Sequence, residues 1–343
     1  MNKQTIARIT KCYGINFRTQ LPVDKGYRNE SHPLVTAGGQ SVNLIIYKLE
    51  PNIVRTIRNA NRTSNFLAEL GYPVRKTLDP RILRLRAGSW CKYAALYSYL
   101  PGQTIPWEAY TKQHIKLLGG MLGNMHSELV ALPLSGYMAV ADQYIDHIKA
   151  LQAYTKDRGV SSALKHKLGL KIEKKELERA LILLTACRRL KHQQVLHLDF
   201  VRSNVLFTSL SQTDSINDLI ISGVLDFEKT AYGHPLFDIA RSLAFLLVDC
   251  KYKSEPQVRK YFLLSGYQKR GNNRLPRVRL NGDRRSSDLL ERLVDIFLLY
   301  DFYKFLRHNP YQSLLKNEHF LRTRDLLLSR KLIYRANDTI KLN

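Results

Sequence analysis

The stretch 195–228 constrains the fold of this chain most, because two apolar runs there are each joined to polar side chains. The first run reads VLHLDFVRSNVLF and carries Asp199 and Asn204 just ahead of its β-rich end. The second run reads LIISGVLDFE and stays uncharged until it reaches Asp226 and Glu228. Short runs rich in β-branched and aromatic residues predict buried strands. The sequence therefore predicts two strands, one preceded and one followed by Asp or Asn side chains.

The spacing of these polar residues indicates phosphoryl transfer. An Asp followed five residues later by an Asn, ahead of a strand, is typical of a kinase catalytic loop. Asp199 is the candidate that accepts or orients the proton of an attacking hydroxyl. Asn204 and Asp226 offer hard oxygen ligands for Mg²⁺, and Glu228 falls on the same side of an extended segment as Asp226. Taken singly, each of these residues is more often an ordinary turn former or cap.

The combined pattern resembles the aminoglycoside phosphotransferase and choline kinase family, which are small-molecule kinases with a protein-kinase-like fold. The match extends to Gly233-His234-Pro235 and to Asp238. The family usually reads His-Gly-Asp where this chain reads His197-Leu198-Asp199. The resemblance implies that Asp238 opens a helix and braces the catalytic loop, and that His197 holds the loop backbone.

The resemblance also implies an α+β bilobal fold. A small antiparallel β N-lobe is expected over residues 1–100 and a larger, mostly helical C-lobe with the acceptor site over 101–343. Within the N-lobe, the segment Ala37-Gly38-Gly39-Gln40 predicts a hairpin turn on its own composition. The implied cofactors are ATP and Mg²⁺, and the implied partner is a small molecule with an acceptor hydroxyl.

Nucleotide contacts are expected at three places in the N-lobe. Lys48, in the strand LIIYK, matches the basic residue that pairs the α- and β-phosphates in the resembling family. Backbone groups from Tyr97 to Leu100 match the hinge that reads the adenine edge. The stretch 26–31 occupies the position of a phosphate-covering loop, although it has only one glycine. The alternatives are a solvent-facing strand lysine, a strand ending in a Pro-Gly turn, and an ordinary β-turn.

One element departs from the family. The segment IVRTIRNANRTSNFLAELG predicts a helix that stops at Gly71. Kinase-like folds usually carry a Glu in this helix to hold the strand lysine, and it is expected within residues 60–63, where no acid occurs. Asn61 and Thr63 are the neutral side chains available there, and Glu69 is the only acid of the helix.

The charge balance of +25, from 54 basic and 29 acidic residues, favours anionic partners. The run 268–285 concentrates arginines between glycines and a proline, and it predicts either an anion-binding loop or a mobile solvated one. Nucleic acid is a conceivable partner, but the chain carries no RNA- or DNA-binding motif. The shortage of acids favours a neutral or anionic acceptor over an aminoglycoside. The side chains considered for the acceptor pocket are Asp295, Asp301 and Tyr303.

Hydropathy gives no spanning helix, because no apolar run reaches 18 residues. The N-terminal residues also lack the apolar stretch of a signal peptide, so a cytoplasmic location without a membrane partner is expected. Two rival functions stay open. A nucleotide-binding pseudokinase would explain the missing helix Glu, and a nucleic-acid-associated protein would explain the charge.

Overall fold

The computed structural model of the protein describes residues 2–22, 29–87, 90–107, 109–209, 218–268 and 284–336. Two compact units make up the chain, and each draws on two separate segments. The first unit comprises residues 1–105 and 202–230, and the second comprises 106–201 and 231–343. Residues 202–230, which the sequence analysis assigned to the later lobe, thus group with the first unit.

The first unit contains a five-stranded antiparallel sheet of β1 Phe17–Gln20, β2 Glu30–Thr36, β3 Ser41–Lys48, β4 Leu83–Ala87 and β5 Trp90–Ser98. The strand order in the sheet is β1-β2-β3-β5-β4. The predicted hairpin turn is confirmed, because residues 37–40 connect two paired strands. The Gln40 N–H donates to the Thr36 side-chain Oγ1 at 3.1 Å, and the Thr36 N–H donates to the Gln40 carbonyl at 2.9 Å. The α-helices of this sheet region are α1 Lys3–Cys12 and α2 Ile53–Glu69.

The strand β3 is buried on both faces of the sheet. Leu44 and Ile46 join the cluster that packs on α1, whereas Ile45 and Tyr47 join the cluster that packs on α2. This alternation follows from the two-residue period of a strand. Each fully buried aliphatic side chain contributes about 1.5–3 kcal/mol, so the two clusters fix which side chains of β3 face α2.

A two-stranded antiparallel hairpin completes the first unit. It consists of β8 Val205–Ser209 and β9 Leu219–Val224, and the connection after β5 packs closely on it. At Gly102, which has φ +126°, an added Cβ would lie 2.2 Å from Ser222 Oγ and 3.0 Å from the Phe207 carbonyl oxygen. A side chain would therefore force this connection away from the hairpin.

The second unit is mainly helical. The helix α7, Leu236–Asp249, is almost wholly buried, and its buried residues include the charged Asp238 and Arg241. The elements of this unit are α3 Lys112–Leu129, α4 Val140–Lys156, α5 Arg158–Ala163, β6 Leu170–Ile172, α6 Lys174–Cys187, β7 Gln194–Leu196, β10 Ala231–Gly233, α7 Leu236–Asp249, α8 Glu255–Arg259, a π-helix Lys260–Tyr267, α9 Arg284–His308, α10 Tyr311–Leu314, α11 Glu318–Ser329 and β11 Ile333–Arg335.

Short antiparallel pairs join distant parts of the second unit. β7 pairs with β10, and β6 pairs with β11. The first pair matters for function because β7 leads directly into the predicted catalytic loop. Among the described residues, none of the helices has the length and apolar character that a bilayer crossing requires.

Candidate active site

The predicted catalytic loop follows β7 in the second unit, and its backbone is held by one carboxylate. Asp238 lies in the first turn of α7 and is fully buried. Its Oδ2 accepts the His197 N–H at 2.7 Å, and its Oδ1 accepts the Leu198 N–H at 2.8 Å. Hydrogen bonds to an ionised acceptor are about twice as strong as neutral ones. The expectation that Asp238 braces the loop is confirmed.

Two histidines support this arrangement. His126 Nε2 lies 3.1 Å from Asp238 Oδ2, and its Nδ1 lies 2.8 Å from the Tyr267 hydroxyl. His197 is buried, and its Nδ1 accepts the Asp199 N–H at 3.2 Å. Burial acts to raise the pKa of Asp238, but these contacts from His126 and His197 hold it below its usual range. Asp238 therefore stays ionised, and His197 positions the residue that carries the predicted catalytic carboxylate.

The backbone of the loop is left-handed at Leu198, where φ is +59°. This is the position where the resembling family carries glycine, the residue that adopts positive φ without a steric penalty. The Leu198 side chain is 2% exposed, so it also belongs to the core. Packing and the bond to Asp238 together maintain a conformation that is unfavourable for leucine.

Asp199 is itself buried, at 5% exposure, beside a charged and aromatic cluster of the second unit. Burial acts to lower the pKa of the Arg241 guanidinium, but Asp301 foremost, with Tyr144 and Asp199 adding to the effect, raises it above its ordinary value. Burial raises the pKa of the Tyr144 hydroxyl, and Asp199 adds to that effect. Arg241 therefore remains a cation in the same buried cluster as Asp199.

In the first unit, the structure brings the two predicted metal ligands to one end of the β8–β9 hairpin. Asn204 immediately precedes β8, and Asp226 follows β9 by two residues. Val205 pairs with Val224, and the Leu225 N–H donates to the Asn204 carbonyl at 2.8 Å. The backbone pairing therefore fixes the spacing of the two segments that carry these side chains.

Glu228, the third predicted ligand, is tied into a buried network of the first unit. Its Oε1 accepts a hydrogen bond from the Tyr47 hydroxyl at 2.9 Å and a short charged contact from the Arg75 guanidinium. Its Oε2 is buried and has no hydrogen-bond partner among the described residues. Burial acts to raise the pKa of Glu228, but the Arg75 guanidinium foremost, with the Tyr47 hydroxyl, holds it below its usual range.

These oxygens suit a hard divalent cation. Asp226 supplies a carboxylate, Asn204 an amide oxygen, and Glu228 an ionised carboxylate with one uncommitted oxygen, which are the donors that Mg²⁺ prefers. Asp226 adopts a left-handed conformation, with φ +60°, which turns the chain sharply between β9 and the 3₁₀ turn Phe227–Lys229. No cluster of three or more His, Cys, Asp or Glu side chains suited to a metal occurs in the part of the chain that the structure describes.

The structure places Lys48 away from this network. Lys48 is the last residue of β3 and is exposed, whereas its neighbour Tyr47 is fully buried on the α2 face. The basic residue that contacts Glu228 is Arg75, which lies just after Pro73. Arg75 was not among the predicted site residues, and the absence of an acid in α2 was the sequence signal that pointed to a different ion pair. The phosphate-binding role of Lys48 stays a prediction.

The predicted hinge residues lie at the end of β5 and just beyond it. Tyr97 pairs with Asn43 on one side and bridges Thr77 on the other, and its side chain is buried. Leu100 follows the strand and packs near Gly223, where an added Cβ would lie 3.2 Å from Leu100 Cβ. Their reading of the adenine edge stays a prediction.

The three side chains considered for an acceptor pocket have partners within the second unit. Arg241 binds Asp301 through two nitrogen–oxygen contacts of 2.6 and 3.0 Å. Asp295 accepts from Arg330 at 2.8 Å, and Tyr303 is buried. Residues 26–28 of the predicted phosphate-covering loop and residues 269–283 of the basic run lie outside the described residues.

Comparison with known proteins places this geometry in a family. The profile of the phosphotransferase enzyme family (APH) matches residues 20–254, more than half of the chain. A search of curated protein sequences found no significant match. Among solved structures, an amicoumacin kinase in complex with AMP-PNP and Ca²⁺ is similar, with a TM-score of 0.67 and 14% identity over 95% of this chain and 94% of that one.

Two further solved structures share the fold. A microcompartment-associated aminopropanol kinase has a TM-score of 0.62 and 14% identity, covering 96% of this chain and 98% of its own. A spectinomycin phosphotransferase in complex with ADP and spectinomycin has a TM-score of 0.57 and 13% identity, covering 95% and 94%. The bilobal protein-kinase-like fold expected from the sequence is confirmed. This chain belongs to the phosphotransferase enzyme family and is a small-molecule phosphotransferase.

Proposed function

We propose that the protein transfers the γ-phosphate of ATP, in a Mg²⁺-dependent reaction, to a hydroxyl group of a small molecule. The observation that carries the proposal is the placement of Asn204 and Asp226 at one end of the β8–β9 hairpin, with the uncommitted oxygen of Glu228 in the same unit. Complexes of two similar structures with AMP-PNP and Ca²⁺ and with ADP support nucleotide and divalent metal use. Lys48 and the backbone of Tyr97 and Leu100 complete the proposed nucleotide contacts.

Asp199 is the proposed catalytic carboxylate. It orients the acceptor hydroxyl and accepts its proton while the hydroxyl oxygen bonds to the γ-phosphorus and the bond to the β-phosphate oxygen breaks, releasing ADP. His197 and Asp238 hold the backbone that carries Asp199, and the Arg241 cation lies in the same buried cluster. Mg²⁺, held by Asn204, Asp226 and Glu228, neutralises charge on the phosphates when it is bound.

The acceptor is proposed to be neutral or anionic. In the second unit, Asp301 is neutralised by Arg241 and by Lys304 at 3.3 Å, and Asp295 is neutralised by Arg330. A pocket for a polycationic acceptor requires carboxylates that are not already paired with internal cations. The chain as a whole carries a charge of +25, which repels such a substrate and attracts anions.

A thermal-shift titration with ATP, with and without Mg²⁺, tests the nucleotide site. A ligand that binds only the folded state raises the melting temperature. At a free ligand concentration of one hundred times Kd, it stabilises the folded state by about 2.7 kcal/mol. We expect a Mg²⁺-dependent rise in the wild type that is lost in Asp226→Asn and kept in Asp325→Asn, an exposed carboxylate paired with its neighbour Arg324. No rise at millimolar nucleotide in the wild type would overturn the proposal.

Turnover separates an enzyme from a nucleotide-binding pseudokinase. The wild type and Asp199→Asn are incubated with ATP, Mg²⁺ and a panel of hydroxyl compounds that includes neutral, anionic and cationic members, and ADP is measured. Acceptor-dependent ADP release that Asp199→Asn abolishes, strongest for neutral or anionic compounds, supports the proposal. Nucleotide binding without turnover on any acceptor favours the pseudokinase.

A further inference from the structure

Arg75 and Glu228 form an internal ion pair that the chain supplies where kinase-like folds use a helix acid. Arg75 is 5% exposed, and Glu228 is almost as deeply enclosed, with its side chain 11% exposed. The residues lie 153 positions apart in sequence but in the same unit. A pair this enclosed is costly unless further contacts satisfy both partners.

Aromatic hydroxyls extend the pair to α2. The Tyr47 hydroxyl, which donates to Glu228 Oε1, lies 2.8 Å from the Tyr97 hydroxyl, and Tyr97 donates to Asn61 Oδ1 at 2.8 Å. The Arg75 guanidinium stacks over the Tyr97 ring at 4.5 Å. The chain of contacts thus runs from Asn61 on α2 through β5 and β3 to the turn after β9.

The segment that carries Arg75 is anchored to the end of β9 as well. The Val224 N–H donates to the Pro73 carbonyl at 2.7 Å, and Val74 forms a parallel bridge with Val224. Arg75 therefore approaches Glu228 from a backbone that is already fixed to the same strand. Two residues beyond that strand lies Asp226, so movement of Glu228 moves the turn that carries the proposed metal ligand.

We infer that Arg75 is a positioning residue that fixes the Glu228 carboxylate and, through it, the Asp226 turn that holds the divalent cation of the nucleotide. Arg75 takes Oε1 of Glu228 and leaves Oε2 for the cation. The role deepens the proposed function and rests on it. In this chain Glu228 supplies the carboxylate that pairs with a buried cation. The helix α2 can therefore carry the neutral Asn61 in the region where kinase-like folds have a Glu.

The test compares Arg75→Met, Arg75→Lys and a matched control, Arg81→Met. Arg81 is a half-exposed arginine of the same unit whose ion pair is with Asp79. Binding of AMP-PNP is measured by calorimetry over a Mg²⁺ series, which gives the Mg²⁺ concentration for half-maximal binding without requiring turnover. Losing an outer partner of a metal ligand typically weakens metal binding by about 10- to 100-fold.

We expect Arg75→Met to raise that Mg²⁺ concentration by about tenfold or more. Arg75→Lys keeps one cationic donor and should recover part of the loss, whereas Arg81→Met should match the wild type. In turnover assays, the defect of Arg75→Met should appear as a raised KM for Mg²⁺-nucleotide that excess Mg²⁺ reduces. A purely structural role predicts a lower melting temperature with an unchanged Mg²⁺ requirement.

Tyr47→Phe keeps the inference testable if Arg75→Met fails to fold. It removes one hydrogen bond to the same Oε1 and keeps the aromatic volume, so it should raise the Mg²⁺ requirement by a smaller factor. A folded Arg75→Met, or failing that Tyr47→Phe, with the Mg²⁺ requirement of Arg81→Met would overturn this inference alone. A wild type without Mg²⁺-dependent nucleotide binding would overturn the proposed function and this inference together.

Discussion

The Leu198 N–H donates to Asp238 Oδ1 across 2.8 Å while Leu198 itself stands at φ +59°. The left-handed conformation directs this N–H and that of His197 to the two oxygens of one carboxylate. A buried acceptor thus maintains a backbone conformation that leucine rarely adopts. The geometry of the catalytic loop depends on this pair of contacts, and it yields two predictions.

Replacing the carboxylate should damage both stability and catalysis. In Asp238→Asn, an amide group faces two backbone N–H donors and His126, so at least one buried donor loses its acceptor. We expect a loss of about 3 kcal/mol or more in the free energy of unfolding, measured by urea denaturation. Asp325→Asn, an exposed carboxylate, should change it by less than about 0.5 kcal/mol. Equal values for the two variants would contradict the bracing role of Asp238.

At position 198, glycine should be tolerated better than alanine. Both substitutions remove the buried Leu198 side chain, at a cost of about 2–5 kcal/mol. Alanine additionally keeps the penalty of a left-handed Cβ, which is about 1 kcal/mol. We therefore expect Leu198→Gly to be about 1 kcal/mol more stable than Leu198→Ala in urea denaturation, the reverse of their usual order. Leu198→Ala as the more stable variant would show that the loop is not held at positive φ.

Acid should destabilise the second unit partly through His147, which stacks on Tyr300 with ring centroids 4.4 Å apart. Burial, with Lys304 and Arg241 adding to it, lowers the pKa of His147 to about 4. The folded state therefore keeps this ring neutral, whereas the unfolded chain binds a proton below about pH 6.5. Stability from this residue is present above pH 6.5 and is lost as the pH falls towards 4.

His147→Phe keeps a stacked ring but removes the titration. We expect it to lose about 1 kcal/mol less stability than the wild type between pH 6.5 and 5, a figure reduced for the partial exposure of the ring. Urea denaturation at several pH values measures it. His114 and His234, whose pKa values burial also lowers to about 4, leave a residual slope.

A side chain at Gly102 should disrupt the connection beyond β5. Its Cβ would overlap Ser222 Oγ and press on the Phe207 carbonyl, and φ +126° is unfavourable for alanine. We expect Gly102→Ala to cost about 2 kcal/mol or more. The control is Gly38→Ala, where the nearest atom, Thr36 Oγ1, is 3.9 Å away, and which should be close to neutral. The melting temperature of each variant reports the difference.

The sequence predicted best what is local in the chain. The positions of Asn204 ahead of one strand and of Asp226 after the next follow from a single stretch of apolar runs and polar residues, and the structure has these two strands as β8 and β9. The hairpin at 37–40 is equally local. Patterns of this kind are readable because turn chemistry and strand periodicity act over a few residues.

Contacts between residues that are distant in sequence could not be predicted from such local patterns. The run LIIYK is apolar on both faces, so the two-residue period gives no indication of which side chains face α2. The structure resolves this by placing Tyr47 in that cluster and Lys48 at the exposed strand end. Arg75 contacts Glu228, which lies 153 residues away in sequence, and no local sequence pattern predicts such a contact.

The two-segment composition of the first unit has a consequence for synthesis of the chain. Residues 106–201 are made before the hairpin that completes this unit. Ribosomes add about 5–20 residues per second, so Glu228 is synthesised about 8–30 s after Arg75. During that interval an arginine that is buried in the finished protein has no carboxylate to pair with, and the nascent sheet must keep it hydrated. A fragment that ends at residue 105 remains permanently in that state.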